Sequence, residues 1–351
     1  MSYQYNANRK DATSHTIALQ LQVENELEEK YIKEEKHDVA VAKKHLVYNY
    51  GEDASVDAPR PNTINPLLWR NNVSNHFSGV YELAKGYYAV TGIACCVIGF
   101  IRGKSGWIVL DTGAAVEESE LSAKLVEQVT GEKILGNVSN ILITHTHYDH
   151  FAGIGTFLDA QTQKPTIYGP SEYGQSLVDD NLYAGRAMSR RLVYQGGISL
   201  PHDEKGTQGA GLQYTAFHGR TASFAYPTQL IEKEQTIEID GITFVFVPTP
   251  NTETRAHMAI YDRTHKVLAL GDNSMGTLHN TYTPRGARTR DASFWGEVFY
   301  HLYHEFGDDA EVVFSGHGMA HFNSEDEPDH VKKYLLTMQL LTNFQVTRHF
   351  F

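Results

Sequence analysis

The chain has 351 residues, of which 41% are hydrophobic and 21% charged, enough apolar material for one large packed body. A formal net charge of −12 excludes a basic nucleic-acid surface, so an anionic substrate would need a local cation. The only cysteines, Cys95 and Cys96, are adjacent, which excludes a disulfide scaffold; with no signal-like leader and no run near the roughly 18 apolar residues of a membrane span, a cytoplasmic protein is expected.

Residues 20–46 are rich in Glu and Lys with sparse apolar positions, so residues 1–58 are expected to form a charged helical or extended arm. PRPNTINPLLW (59–69) reads as an extended lead-in to a main domain over 59–329. YELAKGYYAVTG, CCVIGFIRGKSG and WIVLDTG (81–113) are strand-like runs broken at glycine turns, the pattern of an antiparallel meander. Cys95 and Cys96, inside IACCVIGFI, read as buried core thiols. EESELSAKLVEQVTG predicts a helix capped by Gly131, and NILITH a further strand. Residues 164–220 are loop-rich, with a helical stretch around NLYAGRAMSRRLV.

A second set of strands follows in TQLIEKEQTIEIDGITFVFVPTP and MAIYDRTHKVLALGDN. Strands and then helix, with the order repeated, predict two sheets packed face to face with helices outside, an α/β fold of αββα sandwich type. HVKKYLLTMQLLTNFQVTRHFF, residues 330–351, predicts an amphipathic helix that either folds back on the body or offers a contact surface.

THTHYDHFAG, directly after the strand NILI, sets His145, His147, Asp149 and His150 within six positions. Imidazole and carboxylate are ligands that zinc accepts, and this spacing on a strand-to-loop turn can aim them at two adjacent ions. A single histidine is usually a surface or core residue; this cluster is a metal motif.

H-x-H-x-D-H resembles the signature of the metallo-β-lactamase superfamily. The resemblance implies three further ligands at strand ends: Glu253 in VPTPNTE, where a histidine is more usual, Asp272 in LALGDNS, and His317 in VVFSGHG. The glutamate resembles the alkylsulfatase branch, as do NPLLWR (65–70), NLYAGRAMSRR (181–191) and TLHNTYTPRGARTRD (277–291). Two positions depart from that branch: Asp272 stands where a glutamate is usual, and GMAHF follows His317 where a second histidine and a tryptophan are usual. The branch continues into a helical dimerisation domain, of which 330–351 would be the start; a homodimer therefore does not carry over.

What the resemblance implies is two zinc ions per chain. His145, His147 and Glu253 would hold one, Asp149, His150 and His317 the other, and Asp272 would bridge, with Asp149 and Asp272 as catalytic carboxylates. Such a pair lowers the pKa of a shared water to near neutrality. The expected reaction is hydrolysis of an alkyl sulfate to alcohol and sulfate, with no nucleic-acid partner and no membrane span. Arg285 would grip the sulfate through its planar fork, with Asn280 and Tyr183 as further donors. Arg288 and Arg290 read as ordinary loop arginines, and Arg190 and Arg191 as a solvated helix face. Asp111, at the end of WIVLD, is expected to orient a ligand histidine. Alternatives are a lactone, thioester or phosphodiester hydrolase of the same superfamily, or a non-catalytic metal-binding paralogue.

Overall fold

The computed structural model describes Lys33 and residues 38–50, 60–64, 68–69, 77–159, 164–183, 185–197, 199–201, 203, 205–207, 219–275 and 279–348. Most of the charged arm and most of NPLLWR therefore lie outside the described residues.

Two sheets carry the fold. The first contains, in spatial and chain order, β1 (Leu46–Asn49), β2 (Gly79–Ala84), β3 (Tyr87–Thr91), β4 (Ile98–Arg102), β5 (Trp107–Leu110), β6 (Val138–Leu142), β7 (Thr166–Pro170) and β8 (Gln229–Ile231). Strands β1 to β5 form the expected antiparallel meander, and β5 to β8 run parallel. The second sheet has β9 (Gln235–Ile239), β10 (Ile242–Pro248), β11 (Met258–Asp262), β12 (Val267–Ala269), β13 (Val312–Phe314) and β14 (His321–Phe322), again in sequence order across the sheet.

The period-2 alternation of each strand builds the layers. Ile108 and Leu110 of β5, with Phe244 and Phe246 of β10, fill the space between the sheets. Their neighbours face outward: Trp107 and Val109 toward the helix Val116–Thr130, and Val245 and Val247 toward the helices Ala292–Phe306 and His330–Arg348. The result is helix, sheet, sheet, helix, as the sequence predicts. Gly131 ends the first helix in the left-handed conformation (φ 71°), its N–H donating to Glu127 O.

Two details differ from the sequence reading, and one alternative that it left open is decided. Residues 46–49, grouped there with the arm, are β1; Val41 and Ala42 of the preceding 38–43 helix are buried in the inter-sheet core. The helix His330–Arg348 is part of the body, because Val331, Tyr334, Leu335 and Met338 pack on Trp295, Phe299 and Leu302. The stretch 181–191 is not one helix: a π-turn over Val178–Leu182 precedes the helix Gly185–Gln195.

Candidate metal centre

Four strand ends, those of β6, β10, β12 and β13, meet on one rim. Beyond β6, Thr144 and the turn into the helix Tyr148–Phe151 carry the histidine cluster, and Asp111 organises it from the end of β5. Asp111 sits at φ 55°, a left-handed conformation costly for a non-glycine residue, and its carboxylate accepts three hydrogen bonds that hold it there. Thr144 donates its N–H at 2.8 Å and its hydroxyl at 2.7 Å, and His150 Nδ1 donates at 2.8 Å.

These bonds fix the imidazole tautomers. In its neutral, metal-ready form His150, donating its Nδ1 proton to Asp111, turns a bare Nε2 toward the rim. The Thr144 hydroxyl, committed to Asp111, accepts from His145 Nδ1 at 3.0 Å, which leaves His145 Nε2 bare as well. His317 donates from Nδ1 to the Cys95 carbonyl at 2.8 Å, with the same consequence. Each histidine thus presents a lone pair to one point, the usual arrangement of a metal ligand held from behind.

The carboxylates close two nests. Glu253 Oε2 lies 3.5 Å from His145 Nε2 and 3.0 Å from His147 Nδ1. Asp149 Oδ2 lies 3.6 Å from His150 Nε2 and 3.4 Å from His317 Nε2. Asp272 Oδ2 stands between them, 3.7 Å from His145, 3.4 Å from His150 and 3.1 Å from His317. Ligands about 2.0–2.2 Å from a tetrahedral ion stand about 3.3–3.6 Å apart, so these spacings suit two cations sharing Asp272. The donor set fits the metal: His145 Nε2, His150 Nε2, Glu253 Oε2 and Asp272 Oδ1 are all buried without a hydrogen-bond partner, an expense that bound cations remove. Gly316 of the SGHG turn is required here, since a Cβ would stand 2.2 Å from Asp272 Oδ1.

Charge is balanced inside the nest. Burial alone would discharge His150, but Asp272, Asp149 and Asp111 push its pKa well above the ordinary histidine value, so without metal its Nε2 carries a proton that a bound cation would displace. Burial likewise opposes ionisation of Glu253, yet Arg290 and His147 hold it well below the usual carboxylate range. His145, with burial and neighbouring His150 against it, is held neutral.

A sequence model of the metallo-beta-lactamase superfamily matches residues 96–317, from the β3–β4 connection to the last histidine of the nest. The chain belongs to the metallo-beta-lactamase superfamily. Within that superfamily the relatives it resembles are alkylsulfatases. It is 34% identical over 261 residues to a linear primary-alkylsulfatase from a Pseudomonas species, covering 73% of this chain and 38% of that one. An alkyl/aryl-sulfatase of Saccharomyces cerevisiae is 32% identical, over 73% of this chain and 40% of its own length. Among solved structures, an inverting sec-alkylsulfatase from a Pseudomonas species superimposes with a TM-score of 0.74 at 30% identity, covering 83% of this chain and 46% of that one. The chain spans about two fifths of the curated relatives it matches.

A metallo-beta-lactamase fold implies divalent metal, and the pocket above the nest shows what a substrate would meet. It has a volume of about 280 Å³; Met188, Leu192 and Met275 give it an apolar wall, while Arg285 and Asn280 are polar lining residues. Arg285 Nη2 lies 3.2 Å from His147 Nε2, so its cation sits at the edge of the nest. Asn280 Oδ1 accepts from Arg290 at 3.0 Å. Tyr183 does not line the pocket and is 85% exposed; Asn181, two positions earlier, lines it and donates to Thr146 O. Neither Arg190 nor Arg191 lines it.

Several site residues escaped the sequence reading. Arg290, read there as a loop arginine, is buried, and its Nη2 donates to Glu253 Oε1 at 2.5 Å. His257 stacks on His145 with ring centroids 4.8 Å apart and accepts the Asp272 N–H at Nε2, tying the two sheets together. Cys95 is not a sealed core thiol: it lines the pocket, and its Sγ lies within 4.8 Å of Asp149 and His317 ligand atoms, whereas Cys96 is buried. Glu253 and His317 are named by the family resemblance; Arg290 and His257 act only through partners distant in sequence, and no local pattern marks them.

Proposed function

We propose that the chain hydrolyses alkyl sulfate esters to alcohol and inorganic sulfate, with two zinc ions. In this reading His145, His147 and Glu253 would hold one ion, Asp149, His150 and His317 the other, and Asp272 would serve both. The observation that carries it is the pairing of an anion grip with an apolar wall: Arg285 stands 3.2 Å from a nest histidine, while Met188, Leu192 and Met275 line the same pocket. A sulfate ester with an alkyl tail has just these two ends. The branch's relatives, named for primary, secondary and aryl or alkyl sulfate esters, support the substrate class.

The ions would supply charge neutralisation and a water ionised near neutral pH. The rest falls to the chain. Asp111 and Thr144 keep His145 and His150 in the ligating tautomer; Arg290 keeps Glu253 ionised and aimed. Arg285, whose fork matches two oxygens of a tetrahedral anion, would hold the sulfate in place while the ester bond breaks. The apolar wall would exclude bulk water from the alkyl carbon. A cytoplasmic setting, with both thiols free, accompanies this reading.

Metals per chain and sulfate release from dodecyl sulfate, measured on one purified sample, test it together. Two zincs with release are expected; metal without release would discard the sulfatase reading and direct attention to lactones and phosphodiesters. Arg285→Ala should leave the metal content unchanged and lower kcat/KM by about 10- to 100-fold, the worth of one charge-assisted hydrogen bond.

A further inference from the structure

The active-site nest is not the only place where histidines and a carboxylate converge. Asp38 in the 38–43 helix, His321 in β14 and His330 at the start of the helix His330–Arg348 bring one ligand atom each within 4.8 Å of one another. His321 Nδ1 lies 3.3 Å from His330 Nε2; Asp38 Oδ2 is 4.0 Å from the first and Asp38 Oδ1 3.7 Å from the second. The imidazole separation falls within the roughly 3.3–3.6 Å expected between ligands of one tetrahedral zinc, and the two carboxylate separations lie slightly above it.

The protons point the same way. His330 Nδ1 lies 3.0 Å from Glu327 Oε2, and a carboxylate can only accept, so the hydrogen of His330 is on Nδ1 and its Nε2 is a lone pair. That lone pair accepts from His321 Nδ1 at 3.3 Å, with an Asp38 oxygen 3.7 Å away, so a cation bound here would displace the His321 proton and meet both imidazole nitrogens and the carboxylate. A carboxylate behind the far nitrogen is also what a metal-ligating histidine usually has. The ring of His321 is braced by Tyr334, with centroids 4.3 Å apart.

We propose that Asp38, His321 and His330 form a third divalent-cation site, for zinc or a similar borderline ion, separate from the catalytic nest. Its place in the fold gives it a structural purpose. β1 and β14 are the edge strands of the two sheets, and the 38–43 helix leads directly into β1. An ion there clasps the edge of one sheet to the edge of the other and to the last helix, beside His45, whose ring stacks on Phe322 at 3.9 Å. Two histidines and one carboxylate leave a fourth position for water.

The test is a difference measurement on the full chain, independent of what the catalytic nest holds. Wild type and Asp38→Asn are equilibrated with zinc, freed of excess, and their metal counted by elemental analysis. One equivalent fewer per chain in the variant is expected, with a zinc-dependent rise in thermal midpoint that wild type keeps and the variant loses. Equal metal content would overturn the site. Because His321 packs on Tyr334, His321→Ala could unfold the edge, so Glu327→Gln serves as the second variant: it removes no ligand and should weaken the third equivalent about 10- to 100-fold in chelator competition. Unchanged affinity there would also count against the site.

Discussion

The two halves of the candidate metal nest are held by different forces. On the side of the eight-stranded sheet, His145 and His150 are aimed by short hydrogen bonds to Thr144 and Asp111, neighbours on adjoining parallel strand ends. On the side of the six-stranded sheet, Glu253 and Asp272 are carboxylates in a dry interior, kept ionised by charge: Arg290 and His147 for Glu253, His317 and His150 for Asp272. The first half fixes geometry at little electrostatic cost. The second supplies negative charge for divalent metal, and its ionisation depends on buried partners.

Asp272 belongs to both halves, so it gives the largest effect. Asp272→Ala should take the zinc content from about two per chain toward zero and abolish turnover; retention of both ions would show that each half binds without the bridge. Next comes Arg290→Met, which leaves Glu253 buried without its one permanent cation. Breaking a buried pair in this way costs about 3–5 kcal/mol, to be read by denaturant unfolding of the metal-free protein. A loss below about 1 kcal/mol would mean that the second half is not held by charge. Asp111→Asn probes the first half: the fold should survive while metal affinity drops about 10- to 100-fold, the usual worth of such a support, measured by chelator competition.

This contrast also governs what the sequence reveals. The first half is local: His145, His147, Asp149 and His150 fall within one turn, and the apolar run before them places that turn at a strand end. The layers are legible for a similar reason, since alternation in β5 and β10 states which side chains face which layer. The second half comes from three separate strand ends, where Glu253, Asp272 and His317 are each a lone polar residue after an apolar run and are named by resemblance rather than spacing. Arg290 lies in TPRGARTRD among other arginines, and its burial and 2.5 Å contact with Glu253 set it apart. Tyr183 illustrates the converse: a tyrosine beside a helix start suggests a pocket donor, but the π-turn at Val178–Leu182 leaves it pointing to solvent.

His257 offers the smallest and finest test, because it joins the two halves. It forms an isolated bridge with His145, stacks on that ring, and accepts the Asp272 N–H at Nε2 over 3.1 Å. Burial, partly offset by Glu253 and Asp272, lowers its pKa to about 4. An unfolded histidine titrates near 6.5, so between these values the unfolded chain binds a proton that the native one refuses. Its contribution to stability is therefore present above about pH 6.5 and is lost as the pH falls toward 4, by up to about 3 kcal/mol. His150 and His317, with raised pKa values, act in the opposite sense, their contributions present at low pH and lost as it rises. The informative quantity is thus the stability difference between metal-free wild type and His257→Gln, which leaves those two histidines in place. That difference should be constant above pH 7 and shift in favour of the variant as the pH drops from 6.5 to 4. If it stays flat, His257 is already protonated or solvated in the native protein, and the joint between the two halves rests on the backbone bridge alone.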